Sequence, residues 1–205
     1  MGDLVLKGAT SGQITLTPTA IAGTNTLTVP AETGTIITSA TSTRIISAAA
    51  VPAGSVVQVV NYQTGAVATG STTIPFDDTI PQNTEGNEFM TLAITPKSAT
   101  NKLRIDAIGY FAVPSGSYYF TMALFQDTTA NALASATFTP VTNFGGLPFV
   151  LPLTYYMTSG TTSSTTFKIR AGSSFSQTTT FNGAGGSRYY GGSLSSCITI
   201  TEIAG

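Results

Sequence analysis

Four carboxylates gather in one stretch of the chain: Asp77 and Asp78, then Glu85 and Glu88. Closely spaced oxygen ligands are what a hard cation needs, and two acids across a shaped cleft are what glycoside hydrolysis needs. The spacing here fits no calcium-binding loop, because the Asp-x-Asp-x-Asp-Gly rhythm is missing. It reads as a solvated acidic loop, and no metal is expected. A second stretch, Gly183-Ala184-Gly185-Gly186-Ser187-Arg188-Tyr189-Tyr190-Gly191-Gly192, is glycine-rich. No Gly-Lys-Ser/Thr follows and no helix opens there, so it is not a phosphate-binding loop. Either it is a long turn whose glycines supply positive φ, or it is a recognition loop presenting Arg188, Tyr189 and Tyr190, side chains of the types that bind partners best. Cys197 stands beside Ser195 and Ser196 with no basic neighbour to activate it, and is expected to be a buried structural thiol. With no histidine in the chain, Ser-His and Cys-His catalysis and the usual pH switch are out of reach. No catalytic residue, no cofactor and no enzyme activity are expected.

The elements that carry these residues must come from an unusual composition. Charged residues make up only 8% of the 205, against about 25% in ordinary globular proteins. The 38 Thr and 20 Ser, with Val, Ile, Tyr and Phe, favour strands. Hydrophobic content of 41% is enough for a core. A surface this short of charge is either covered by copies of itself or solvated by hydroxyls and amides. The net charge of -1 and eight Lys+Arg leave no basic stripe for nucleic acid. No apolar run reaches the roughly 18 residues that would span a bilayer. A single cysteine cannot close an internal disulfide. The first residues lack signal-peptide features, and Leu6 stands where a myristoylation motif wants Ser or Thr. The expectation is a soluble, β-rich protein made without export.

Residues 1–43 read as an extended arm, 44–54 as a linker and 55–205 as a β-sandwich domain. Ile14-Thr15-Leu16-Thr17-Pro18 and Thr26-Leu27-Thr28-Val29-Pro30 form a weak repeat of short alternating strands, each halted by proline. Each has too few apolar side chains for a core of its own. Such strands have open edges that recruit other chains by strand addition. Fully extended, about 40 residues reach roughly 130 Å. Beyond the break at Val51-Pro52-Ala53-Gly54, strands alternate with turn signals in the manner of a sandwich. They are expected near 56–62, 72–76, 88–95, 101–113, 118–126, 132–139, 149–157, 165–171 and 195–203. Leu103, Ile105 and Ala107 alternate with Lys102, Arg104 and Asp106, and similar alternation marks Phe167 with Ile169 and Ile198 with Ile200. Each of these three strands has one wet face.

Two strands break the alternation. Tyr118-Tyr119-Phe120-Thr121-Met122-Ala123-Leu124-Phe125 and Phe149-Val150-Leu151-Pro152-Leu153-Thr154-Tyr155-Tyr156-Met157 carry large apolar groups on both faces. The second face is covered either by another part of the chain or by a neighbouring subunit. A subunit seam is favoured, because small sandwiches bury one face internally. Its candidate residues are Tyr118, Tyr119, Phe120, Phe125, Tyr155 and Tyr156.

Two sets of residues resemble a known family. Lys7-Gly8-Ala9-Thr10-Ser11-Gly12-Gln13-Ile14-Thr15-Leu16, continued by Ala22-Gly23-Thr24-Asn25-Thr26-Leu27-Thr28-Val29-Pro30-Ala31-Glu32-Thr33-Gly34-Thr35, resembles a segment of tailed-phage virion proteins, often tail fibres. Ile94-Thr95-Pro96-Lys97-Ser98-Ala99-Thr100-Asn101-Lys102-Leu103, with Phe167-Lys168-Ile169-Arg170-Ala171-Gly172 and Ile198-Thr199-Ile200-Thr201-Glu202-Ile203, looks like the small jelly-roll domain that ends many phage structural proteins. The resemblance implies an all-β fold, homotrimers and a place on the virion surface after assembly in the host cytoplasm. An arm running straight into one domain, with no shaft, suits a capsid decoration (cement) protein. In it Ile14, Leu16, Leu27 and Val29 would anchor on the major capsid protein. The alternative is a short tail fibre or head fibre that binds a host-surface glycan or receptor.

Overall fold

The computed structural model describes residues 4–7, 13–16, 51–114, 116, 119–139 and 146–205. The chain divides into two units, Met1–Ile45 and Ile46–Gly205. In the first, β1 (Leu4–Lys7) and β2 (Gln13–Leu16) form an antiparallel pair, with Leu4 opposite Leu16 and Lys7 opposite Gln13. The strand expected around Ile14 therefore has one of its edges occupied by its own chain.

In the second unit, eight main strands are wound between two antiparallel sheets. One sheet runs β3 (Val56–Thr64), β14 (Ser196–Ile203), β6 (Lys102–Ala112), β9 (Phe149–Thr158). The other runs β5 (Asn87–Ile94), β10 (Thr165–Ser173), β7 (Phe120–Gln126), β8 (Ala134–Phe138). Apart from the consecutive β7 and β8, neighbours in each of these sheets are not consecutive in sequence, and the first strand of the unit pairs with the last. That is jelly-roll winding, two interlocked Greek keys. Among the described residues there is no α-helix. The all-β sandwich read from the sequence is what the chain forms.

Alternation decides which way each strand faces. Leu103, Ile105 and Ala107 of β6, Phe167 and Ile169 of β10, and Ile198 and Ile200 of β14 are all buried between the sheets. Aromatic rings fill one end of that core. Phe111 lies 5.0 Å from Phe120 and 5.5 Å from Phe181, and Phe120 lies 5.2 Å from Phe149, centroid to centroid. Burying such a ring stabilises the fold by roughly 1.5–3 kcal/mol, with about 0.5–1.5 more from each ring pair.

Two departures from regular pairing shape the surface. β14 pairs with β6 only as far as Cys197 opposite Ile108, after which β11 (Thr179–Phe181) takes over at Phe111 and Ala112. Asn182 fills the gap. It is fully buried at φ 56, and its amide donates to the carbonyls of Thr64 and Ala66 at 2.8 and 3.1 Å. Its Oδ1 accepts from Ser196 Oγ at 2.6 Å, and Ser196 Oγ in turn accepts the N–H of Tyr110. A buried polar side chain is tolerated there because every group has a partner. β11 pairs on its other edge with β4 (Ala68–Gly70).

The second departure is a strap. Residues 72–76 were expected to be a strand; they run instead as irregular chain across the outer face of the β5–β10–β7–β8 sheet. Ile74 is buried there against Ala123 and Phe125. Arg170 clamps the far end, donating from Nε to the Glu85 carbonyl at 2.8 Å and from Nη2 to the Gly86 carbonyl at 2.7 Å. Gly172 allows the closest approach, because a Cβ there would collide with the Thr72 carbonyl. Periodicity could not reveal the strap, since a segment with one or two apolar anchors carries no repeat.

Candidate functional site

The acidic loop does not converge. Asp77 closes a local turn, accepting from the N–H and Oγ1 of Thr79 at 2.8 and 2.5 Å. Those bonds, the hydroxyl's first and the N–H's second, hold its carboxyl below the ordinary aspartate range. Glu85 accepts from the Gln82 N–H at 2.9 Å, while Glu88 faces Arg170 at 3.7 Å and Lys168 at 3.9 Å. Among the described residues no three of His, Cys, Asp and Glu come together. An open hollow of about 370 Å³ lies beside Asp77, Asp78, Ile80 and Leu133. A smaller one, about 240 Å³, lies between Asn83, Phe125, Asp127, Lys168 and Arg170. The polar groups in the second are already engaged. Asp127 holds Thr165 Oγ1 and the Thr166 N–H at 2.9 and 2.7 Å, and Asn83 donates to the Thr128 carbonyl at 3.1 Å.

The glycine-rich stretch is a built loop. β12 (Gly183–Ala184) and β13 (Ser187–Arg188) form a tight hairpin around Gly185 and Gly186, whose φ values of 59° and 78° suit a mirror-image turn. A single 3₁₀ turn, Tyr190–Gly192, follows. Tyr190 sits at φ 51° with its side chain 80% exposed, and its ring stands 6.2 Å from that of Tyr189. Arg188 is exposed beside them.

The expected subunit-seam residues divide. Phe120 and Phe125 are enclosed within this one chain, the first by the sandwich core and the second by Ile74 of the strap and Ala132. The second apolar face of β7 thus has an intrachain cover, and these two rings are not at a surface. Tyr119 is partly exposed and stacks on Phe76 with centroids 3.5 Å apart. Tyr155 is half-buried against the core. Tyr156 is 56% exposed on β9, with the Arg104 guanidinium 5.7 Å from its ring centre. Tyr118, Leu27 and Val29 lie outside the described residues; Ile14 and Leu16 belong to β2. Cys197 is half-buried on the outer face of β14, not in the core, because alternation points Ile198 and Ile200 inward and leaves it outward.

Sequence reasoning missed the company Tyr156 keeps. The outer face of the β3–β14–β6–β9 sheet has rows fixed by register. Gln63, Cys197, Ile108 and Pro152 make one row, Asn61, Thr199, Asp106 and Thr154 the next, and Val59, Thr201, Arg104 and Tyr156 the third. Val59, Ile108, Val150 and Tyr156 are exposed there. The signal was present in β6, where strict alternation puts Ile108 on the same face as Lys102, Arg104 and Asp106. Polar pairs lie between these groups: across strands, Asn61 to Thr199 at 2.8 Å and Thr154 to Asp106 at 2.7 Å, and along β6 an Arg104–Asp106 ion pair at 2.8 Å.

No protein-family model matches the chain. No curated protein sequence matches it either. Solved structures resemble it in part, at low identity. The Eiger TNF of S. frugiperda is 7% identical over 71% of this chain and 93% of its own, with a TM-score of 0.40. The VP2 subviral particle of infectious bursal disease virus is 14% identical over 73% of this chain and 38% of its own, with a TM-score of 0.32. The enzymatically active domain of tailspike protein 4 from bacteriophage CBA120 is 16% identical over 60% of this chain and 18% of its own, with a TM-score of 0.25. The chain thus spans well under half the length of the two viral structures.

Proposed function

We propose that this is a non-enzymatic virion structural protein of a tailed phage, a homotrimeric capsid decoration (cement) protein at the virion surface. Its arm, residues 1–43, anchors on the major capsid protein through Ile14, Leu16, Leu27 and Val29, and the sandwich domain stands outside. The observation that carries this reading is the joining, in one chain, of an arm sequence that resembles phage virion proteins to a jelly roll whose β3–β14–β6–β9 sheet exposes Val59, Ile108, Val150 and Tyr156 on its outer face. Deleting residues 1–43 tests it. The sandwich is expected to melt unchanged, while capsid binding and the heat resistance of the particle are lost. Truncated protein that still decorates capsids would refute the arm's role.

A second reading, a short tail or head fibre that binds a host glycan, is favoured by one observation. Tyr190 is held at positive φ on a structured loop and projects into solvent beside Arg188 and Tyr189. A side chain kept exposed in a disfavoured conformation points to use. Labelled protein that localises to the tail and binds host cells, and loses that binding with Tyr190→Ala, would replace the cement reading.

A further inference from the structure

The two outer faces of the sandwich are not alike. The strap anchored by Ile74 crosses the β5–β10–β7–β8 sheet, and the Lys168, Arg170 and Glu88 charges occupy more of it. Across the β3–β14–β6–β9 sheet, Val56, Val59, Ile108, Val150 and Tyr156 remain between 41% and 60% exposed. Isolated apolar side chains on a surface need no explanation, but several sharing one sheet face do.

We propose that this face is where a second copy of the chain docks, with Ile108 and Tyr156 as its apolar anchors. The inference rests on the reading of the protein as a homotrimer and names the surface responsible. Area supports a second copy as the occupant. Four strands about 4.8 Å apart and the ten β6 residues paired with β9, at about 3.4 Å each, give a face of roughly 650 Å². A specific interface needs about 500 Å² or more on each side. Charge supports it too. Arg104 and Asp106 neutralise each other at 2.8 Å, and the rest of the three central rows is amide, hydroxyl, thiol and apolar. The chain's formal charge of -1 does not hold copies apart. Face-on docking is preferred to strand pairing through β9, because Pro152 in that edge strand lacks an N–H to offer.

Cys197 is a built-in reporter, since it is the single cysteine and lies in the row with Ile108. Full-length protein is to be studied by native mass spectrometry and sedimentation from nanomolar to about 100 µM, with maleimide labelling of Cys197 in parallel. Wild type is expected to be an oligomer whose Cys197 labels at least about 10-fold more slowly than after dilution to monomer. Ile108→Glu and Tyr156→Ala, at partly exposed positions, are expected to keep the wild-type melt and weaken assembly by about 100-fold, as interface anchors do. Thr91→Glu, exposed on the opposite sheet, is expected to leave assembly unchanged. An oligomer unaffected by both face variants, with Cys197 freely labelled, overturns the surface while the homotrimer stands. A monomer at 100 µM overturns the homotrimer and the surface together. If deleting residues 1–43 frees Cys197 while the oligomer persists, the arm is the occupant and the proposal fails. Should Ile108→Glu fail to fold, the wild-type labelling rates decide alone.

Discussion

Glu202 is a fully buried carboxylate on the last strand, and its removal should be felt throughout the sandwich. Its Oε1 accepts from the Lys97 N–H at 2.7 Å, the Ser98 N–H at 3.3 Å and Asn101 Nδ2 at 2.6 Å. Its Oε2 accepts from Gln58 Nε2 at 2.5 Å. One side chain thus ties the β5–β6 turn to β14 and β3. Glu202→Ala strands the Lys97 N–H and Asn101 amide; Gln58 keeps a bond to the Thr95 carbonyl at 2.9 Å. Hydrogen bonds to a charged group are worth about 1.5–3 kcal/mol each, offset in part by no longer desolvating the carboxylate, so the net loss is about 3–4 kcal/mol. For a domain of this size that lowers Tm by about 6–16 °C. Glu202→Gln keeps the shape and the Oε1 acceptor, so it should cost less than half as much. Calorimetry on the full-length variants measures both. A Glu202→Ala melt within about 2 °C of wild type, or a Glu202→Gln as damaging as the alanine, would mean that these bonds to the Glu202 carboxylate do not hold the turn and strands together.

Phe125→Ala, by emptying the space under the strap, should cost about 3–5 kcal/mol while leaving the oligomer mass unchanged; a mass change without a lower melt would return this ring to an interface. Asp77 should titrate below the ordinary aspartate value near 4, because the Thr79 hydroxyl and N–H favour its charged form. The sign follows: its small support of the loop is full above that ordinary value and is lost as pH falls through the lowered one. Carboxyl NMR of wild type and Thr79→Val checks this, and an unchanged midpoint in the variant would exclude the Thr79 hydroxyl as the main cause. Melts with and without chelator should coincide; a drop of several degrees would make the Asp77, Asp78, Glu85 and Glu88 stretch a cation site.

Strands with one wet face were legible because burial imposes a two-residue period. Leu103, Ile105, Phe167, Ile169, Ile198 and Ile200 all point where that period sends them. The second face of β7 was misassigned for a reason of the same kind. Periodicity shows that Phe125 must be covered, and says nothing of whether Ile74 of the same chain or another subunit covers it. The strap and the short strands β4, β11, β12 and β13 were invisible because their order depends on tertiary partners. Gly172 admits the Thr72 carbonyl, and Asn182 stitches β11 to the end of β14. Neither partnership leaves a local pattern. Within the glycine-rich loop, the exposure of Tyr189 and Tyr190 could be expected from composition, but the positive φ of Tyr190 could not.

The scarcity of charge gains a physical meaning once the charges are placed. Glu202 is consumed inside the fold, Arg170 by the strap, and Arg104 and Asp106 by each other. What remains in the central rows of the β3–β14–β6–β9 face is apolar groups interleaved with Thr, Asn and Gln, the polar ones paired laterally as in Asn61 with Thr199 and Gln63 with Ser195 at 2.8 Å each. Hydroxyls and amides that bond sideways along a sheet keep those bonds when another surface covers them. Charges would have to be desolvated at several kcal/mol apiece. A face built this way stays hydrated when free and loses little when covered, which is the balance an assembling surface requires. The same chemistry argues against steering by long-range fields, so assembly here should depend little on ionic strength. Sedimentation at about 50 and 500 mM salt measures it, and a large loss of oligomer at high salt would mean that charges outside this face hold the copies together.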